Sequence, residues 1–256
     1  MKVVEVTEME KIAPLFGGWQ ESTIWSCLEG TMGKAYSIEG RESEMAKVVL
    51  GDFCFPAGIP CEELLLDTHA NASDGFQIIV PGTKEMGRCI EQTFQERAEK
   101  KIRYAIKKEG DIFDRTKLQV YIDALTKGYR LSEITKPLYE QSQSELWSRD
   151  FCCNFKDYKD FKEHALGYVV LKDGKIVAGA SSYSYYSLGI EIEIATFEPE
   201  QRKGLALCCG ARLVLAALQK GLYPNWDAAN LKSVGLATKL GYHFEREYDS
   251  YHICES

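Results

Sequence analysis

Residues 191–210 read EIEIATFEPEQRKGLALCCG, and the fold turns on how that stretch is divided. Isoleucines at 190, 192 and 194 alternate with Glu191, Glu193 and Ala195, a period of two that predicts a strand with one apolar face. Pro199 ends it. The segment Gln201-Arg202-Lys203-Gly204-Leu205-Ala206 follows, and an apolar run from Leu205 to Leu218 is broken only by Gly210 and Arg212. That run is too long for an ordinary strand and predicts a helix buried on nearly every side. A strand, a basic turn with a glycine and a buried helix together make an anion-binding arrangement. The first N–H groups of a helix have no internal partner, and the helix dipole places partial positive charge beside them. Gly204 lets a ligand approach the backbone closely, and Arg202 and Lys203 add full charges at the rim.

The spacing Gln201-x-x-Gly204-x-Ala206 resembles the Q/R-x-x-G-x-G/A signature of the GNAT superfamily of N-acetyltransferases. A second motif stands downstream in the expected order. Asn230 and Ser233 open NLKSVGLATKLGY (230–242), which is similar to the N-x-x-S…K-L-G-F/Y segment of the same family. The strings GIEIEIAT, RKGLA, LYPNWDAAN, SVGLATKLGY and EYDSY further resemble the subgroup that contains the zwittermicin A resistance acetyltransferase. The motif-bearing part covers about 175–250. The order of elements extends the likeness to 127–256, and the first half is covered only weakly.

Composition narrows the alternatives. A chain of 256 residues can hold one large domain or two small ones around a sizeable core. Its 45% hydrophobic and 27% charged residues are those of a soluble globular protein. The start MKVVEVTEMEKIAP lacks a signal-peptide layout, and no apolar run reaches membrane-spanning length, so a cytoplasmic protein without membrane attachment is expected. Nine cysteines without a CxxC spacing predict free thiols, and four scattered histidines predict no metal centre. A net charge of −7 argues against a nucleic-acid partner and suits a cationic small molecule.

Taken in order, the first half alternates helix and strand signals: a helix over 20–32, strands at 46–55 and 76–80, a helix from Pro81-Gly82 to about Arg97, and a strand at 103–107. Val80-Pro81-Gly82-Thr83-Lys84 lacks the spacing of a nucleotide P-loop, and Asp67, His69 and Asp74 read as a polar loop, not a metal site. A helix capped by Asp114 runs to about Lys127, and the domain boundary is placed after it. Next come a strand at 129–134, a helix from Pro137 carrying Leu138, Leu146 and Trp147, a helix at 158–166, and two strands joined by Lys172-Asp173-Gly174. Asp-Gly between apolar runs is a hairpin signal. The strand at 222–226, the helix 231–240 and closing strands at 242–253 complete the chain. The predicted class is α/β (α+β): a smaller N-terminal α/β domain, 1–126, and a domain over 127–256 whose GNAT likeness implies a mixed, mostly antiparallel sheet.

The resemblance implies direct acetyl transfer from acetyl-CoA to the primary amine of a small acceptor, cationic or antibiotic-like. It assigns the cofactor to Gln201, Arg202, Lys203, Gly204, Leu205 and Ala206 at the helix start. Ile194, Ala195 and Thr196 along the strand edge take the pantetheine arm. Asn230 contacts the arm or the pyrophosphate, or serves only as a helix cap with Ser233 in the first turn. An alkylammonium of pKa near 10 lies about three units from its nucleophilic form at pH 7, so a base is needed. Glu191 and Glu193 share a strand face and are the candidates, Glu193 first because it lies nearer the turn. A tyrosine common in the family's last helix is replaced here by Ala237. Tyr183, Tyr185, Tyr248 and Tyr251 are the other proton donors for the leaving thiolate, which can also depart unaided. Cys208 and Cys209 read as packing residues. An acyl-CoA-binding regulatory module is the competing function, and a homodimer is allowed.

Overall fold

The computed structural model describes residues 1–67 and 76–254; of the polar loop expected at Asp67, His69 and Asp74, only Asp67 lies among them. The chain groups into two compact units, Met1–Arg103 with Glu247–Ser256, and Tyr104–Arg246. Both mix strands and helices, as the predicted class requires.

The first unit runs β1 (Val3–Val6), α1 (Ser22–Leu28), β2 (Lys34–Ile38), β3 (Met45–Leu50), β4 (Phe53–Gly58), α2 (Glu62–Leu66), β5 (Phe76–Ile79), α3 (Lys84–Phe94) and the start of β6 (Ala98–Ile106). The strand expected at 46–55 is in fact two, β3 and β4, because the chain reverses at Gly51-Asp52 and pairs Leu50 with Phe53. Two buried apolar strands read in sequence as one run, although Gly51 (φ 55°) and Asp52 form a hairpin turn with glycine first. Pro56 and Gly58, residue types that favour turns, belong to β4. Proline is tolerated there because β4 pairs with β5 only at Phe53 and Cys54. Helix α3 is capped by Thr83, whose hydroxyl accepts the Met86 N–H at 3.1 Å, and it buries Met86, Ile90 and Phe94 at four-residue spacing. Strand β6 begins five residues before the expected Arg103.

The second unit holds the end of β6 and then α4 (Arg115–Asp123), β7 (Arg130–Glu133), α5 (Lys136–Gln143), α6 (Tyr158–His164), β8 (Gly167–Lys172), β9 (Lys175–Tyr186), β10 (Gly189–Thr196), α7 (Leu205–Gln219), β11 (Tyr223–Asn225), β12 (Asp227–Ala228), α8 (Leu231–Leu240) and the start of β13 (Phe244–Cys254). Its sheet has the order β11-β10-β9-β8-β7. Only the β10–β11 pair is parallel. Asp173 (φ 50°) and Gly174 (φ 79°) form the β8–β9 turn, both in the left-handed region that a tight hairpin demands. Helix α5 ends at Gln143, so Leu146 and Trp147, expected on it, lie beyond it. The core forms between the isoleucine face of β10 and α7, whose Cys209, Leu213, Val214 and Ala217 are fully buried. Each large apolar side chain buried there contributes about 1.5–3 kcal/mol.

The compact units divide at 103/104 and 246/247, where the sequence placed one boundary at 126/127. Helix α4, expected in the first domain, buries Leu118 in the core that α7 dominates. Asp227 and Ala228 pair with Ala105 and Tyr104 of β6, while Tyr251 to Cys254 of β13 pair with β5. A strand from each half of the sequence therefore completes the other unit. Five consecutive strands in each unit also share one plan: β1-β2-β3-β4-β5 and β7-β8-β9-β10-β11 both have three antiparallel pairs followed by a parallel one.

Candidate functional site

Strand β11 pairs with β10 only from Gly189 to Glu191. Beyond Asn225 the chain turns away, and Asp227 and Ala228 take their partners from β6 instead. Strand β10 continues to Thr196, so among the described residues its edge from Ile192 to Thr196 has no strand on the β11 side. An unpaired edge of this kind offers backbone N–H and C=O groups to an extended ligand carrying amides. Asn225 pins the point of divergence. Fully buried, its amide donates to the carbonyls of Ile190 (3.0 Å) and Tyr223 (3.3 Å), and its oxygen accepts from Lys108 Nζ at 2.9 Å.

Past Thr196 a short 3-10 turn (Glu198–Glu200) leads into Gln201–Gly204 and the start of α7. Arg202 (φ 64°) and Gly204 (φ 78°) are both left-handed, which folds the turn over the helix start. No atom lies within 4 Å of where a Gly204 side chain would begin, so the backbone there faces open space. Cys208 N–H reaches the Gly204 carbonyl at 3.1 Å; the preceding N–H groups have no such partner within the helix. Glu200 holds the turn. Its carboxylate accepts from Lys203 Nζ (2.6 Å), Lys172 Nζ (2.7 Å) and the Tyr129 hydroxyl (2.6 Å). These bonds, Lys172 first, draw its pKa down to about 2 and raise those of Lys172 and Lys203.

A cleft of about 830 Å³ opens between this turn, the β10 edge and α8. It is lined by Ile194, Ala195, Thr196, Gln201, Arg202, Gly204, Leu205, Ala206, Asn230 and Ser233, which the structure brings together from three separate stretches. Lys203 is the exception, its ammonium drawn onto Glu200. The cationic wall comes instead from Lys232 and Lys239, which the sequence reading left out along with Leu236. Their signal was present: Lys232, Ser233, Leu236 and Lys239 follow helical spacing from Asn230. Asn230 does cap α8, its side-chain oxygen accepting the Ser233 N–H at 3.0 Å. The Ser233 hydroxyl accepts from buried Trp226 Nε1 at 3.0 Å.

Glu191 and Glu193 sit on the opposite face of β10 from the isoleucines and do not line the cleft. Glu191 is buried and Glu193 half-buried. A bulge in β9 places Tyr183 between Ser184, which pairs with Glu191, and Ser182, which pairs with Ile192. Both carboxylates therefore stand at the start of the unpaired edge, at the end remote from the basic turn.

With that geometry in place, comparison with known proteins settles the family. A family model for GNAT acetyltransferases matches residues 13–251. The chain belongs to the GNAT acetyltransferase family. It is 40% identical to a GCN5-related N-acetyltransferase-like protein from Streptococcus suis 89/1591, with a TM-score of 0.91 over 96% of this chain and 98% of that one. It is 27% identical over 137 residues to the uncharacterized N-acetyltransferase YdfB of Bacillus subtilis (strain 168), spanning 50% of this chain and about half, 49%, of that relative. A tandem GNAT protein from the clavulanic acid biosynthesis pathway shares the fold, with a TM-score of 0.60 at 10% identity over 98% of this chain and 97% of that one.

GNAT proteins use acetyl-CoA as co-substrate, and the cleft suits such a ligand: an unpaired edge for amides, a helix start and turn for the diphosphate, and a volume within the usual range for ligand sites. The tyrosine candidates separate. The Tyr251 hydroxyl donates to Glu91 at 2.7 Å in the first unit, which also holds Tyr248. Tyr185 stacks on His164 at 4.7 Å, and burial pushes its pKa up. Tyr183 is buried at the bulge. Burial pushes Cys208 to about 11 and Cys209 well above its ordinary value, so neither thiol is primed as a nucleophile. Ala237 is fully buried in the core.

Proposed function

We propose that this GNAT protein transfers an acetyl group from acetyl-CoA directly to the primary amine of a small acceptor, and that residues 104–246 carry the reaction. One observation bears most of the weight: β10 joins two carboxylates at one end to an anion-binding turn at the other by an edge that no strand covers. Acetyl-CoA supplies the thioester when bound, its arm along Ile194–Thr196 and its diphosphate at residues 202–206. The unpaired N–H groups at the start of α7 and the Arg202 guanidinium neutralise phosphate charge. Glu193 accepts the proton of the attacking ammonium, and Glu191 on the same face takes over or holds the cationic acceptor. Buried Tyr183 lies in the bulge of β9 opposite Glu191 and Ile192.

A cationic acceptor such as an amino-bearing antibiotic, the class the subgroup resemblance suggests, accords with the net charge of −7. Ala237 gives no support to a regulatory module without turnover, because a fully buried position reports packing. The test is thiol release from acetyl-CoA across polyamines, amino sugars and amino-bearing antibiotics. Amine-dependent release is expected for at least one class; acetyl-CoA binding with no release from any of them would contradict the proposal.

A further inference from the structure

Three cations line the cleft, and none is engaged by a neighbour. Arg202 stands in the turn and Lys232 and Lys239 on α8. Among the described residues none of the three makes an ion pair or a side-chain hydrogen bond, whereas Lys172 and Lys203 close by are both held by Glu200. Glu200 is the one carboxylate in the lining, and those two ammoniums already answer its charge. On a chain of net charge −7, this is a local reversal of sign. Lys232 and Lys239 are seven residues apart, so they stand about 10 Å apart along the helix axis and within about 20° of the same face.

The lining divides into three walls with different chemistry. The β10 edge presents backbone groups to amides. The turn presents N–H groups and Arg202, a complement for a diphosphate. The third wall is α8, which offers two ammonium groups and the apolar side chain of Leu236. Coenzyme A carries one further anion, the phosphomonoester on its ribose, with a charge of about −1.5 to −2 at neutral pH. Resting on the acyl-CoA reading above, we infer that Lys232 and Lys239 recognise this 3′-phosphate, so that the site selects coenzyme A over its 3′-dephospho form. Lysine suits the task as a mobile point charge that reaches a phosphate without fixed geometry.

The experiment is calorimetric titration of the full chain with coenzyme A and with 3′-dephospho-coenzyme A at one ionic strength. Wild type is compared with the Lys232→Ala/Lys239→Ala double variant and with Lys232→Arg/Lys239→Arg, and thermal melts check folding. Wild type should prefer coenzyme A by roughly tenfold or more, the scale of one or two charge-assisted contacts. The alanine variant should lose that preference through weaker coenzyme A binding, with dephospho-coenzyme A affinity nearly unchanged, and the arginine variant should retain it. Equal binding of the two ligands by wild type overturns the inference alone, as does an undiminished preference in the folded alanine variant. Wild type that binds neither ligand overturns the acyl-CoA reading and this inference with it.

Discussion

Residue by residue, the site is a division of labour between groups that hold the turn and groups that face the ligand. Glu200 belongs to the first kind: three donors converge on one carboxylate, and its pKa falls to about 2 from an ordinary 4.5. A depressed pKa means that Glu200 adds stability above its ordinary value and loses it as the pH falls toward about 2. Glu200→Gln should therefore be less stable than wild type at neutral pH, and the two should converge between about pH 4.5 and 2. Urea unfolding across that range would show it; a pH-independent gap would contradict the assignment. Glu193 is the base in the proposed reaction. Glu193→Gln keeps its shape but removes its basicity, so turnover should fall about 10²–10⁴-fold at pH 7 while acetyl-CoA affinity barely moves. The defect should shrink as pH rises, because more of the amine then arrives neutral. Full turnover at pH 7 would remove Glu193 as the essential base. That Glu191 and Glu193 share a strand face was legible from period-two alternation, but the partners of Glu200 were not, since Tyr129 and Lys172 are 71 and 28 residues away.

At the scale of elements, legibility followed the strength of local signals. The Asp173-Gly174 hairpin, the Asn230 and Asp114 caps and the β10-turn-α7 stretch each carry chemistry that acts within a few residues, and each stands where the sequence put it. The β3–β4 turn carries only Gly51-Asp52, with Gly51 at φ 55°, a hairpin signal masked by the continuous apolar pattern of two consecutive buried strands. Lys232 and Lys239 were missed because a surface lysine has no meaning until the opposite wall is known. That helix α4 packs with the residues after the expected boundary was not legible for a related reason: its own pattern says which face is apolar, not what covers it. Its Leu118 is only 1% exposed in the core that α7 dominates. Leu118→Ala should cost about 2–5 kcal/mol by urea unfolding, and less than about 1 kcal/mol would mean that α4 is not part of this core.

Over the whole molecule, two units repeat one strand order, and each is completed by strand residues from the other half of the sequence. The second plan was legible because the turn after its fourth strand is written in glycine and basic residues. The first was not. There β4 is followed, before its parallel partner β5, by Ile59-Pro60-Cys61 and a five-residue helix that opens with Glu62 and Glu63, a charge that repels phosphate. Where β4 and β5 run past their pairing, Trp19 packs edge-on against Phe55 at 5.9 Å and lies against Gly82. One plan has the features of an anion site and the other lacks them. The most direct test of the account is amide hydrogen exchange of the full chain with and without saturating acetyl-CoA, which reads both units at once. Added protection should be concentrated at residues 192–206 and at the start of α8, with residues 53–66 unchanged. Protection at 53–66 in place of 192–206, or none in either stretch, would contradict it.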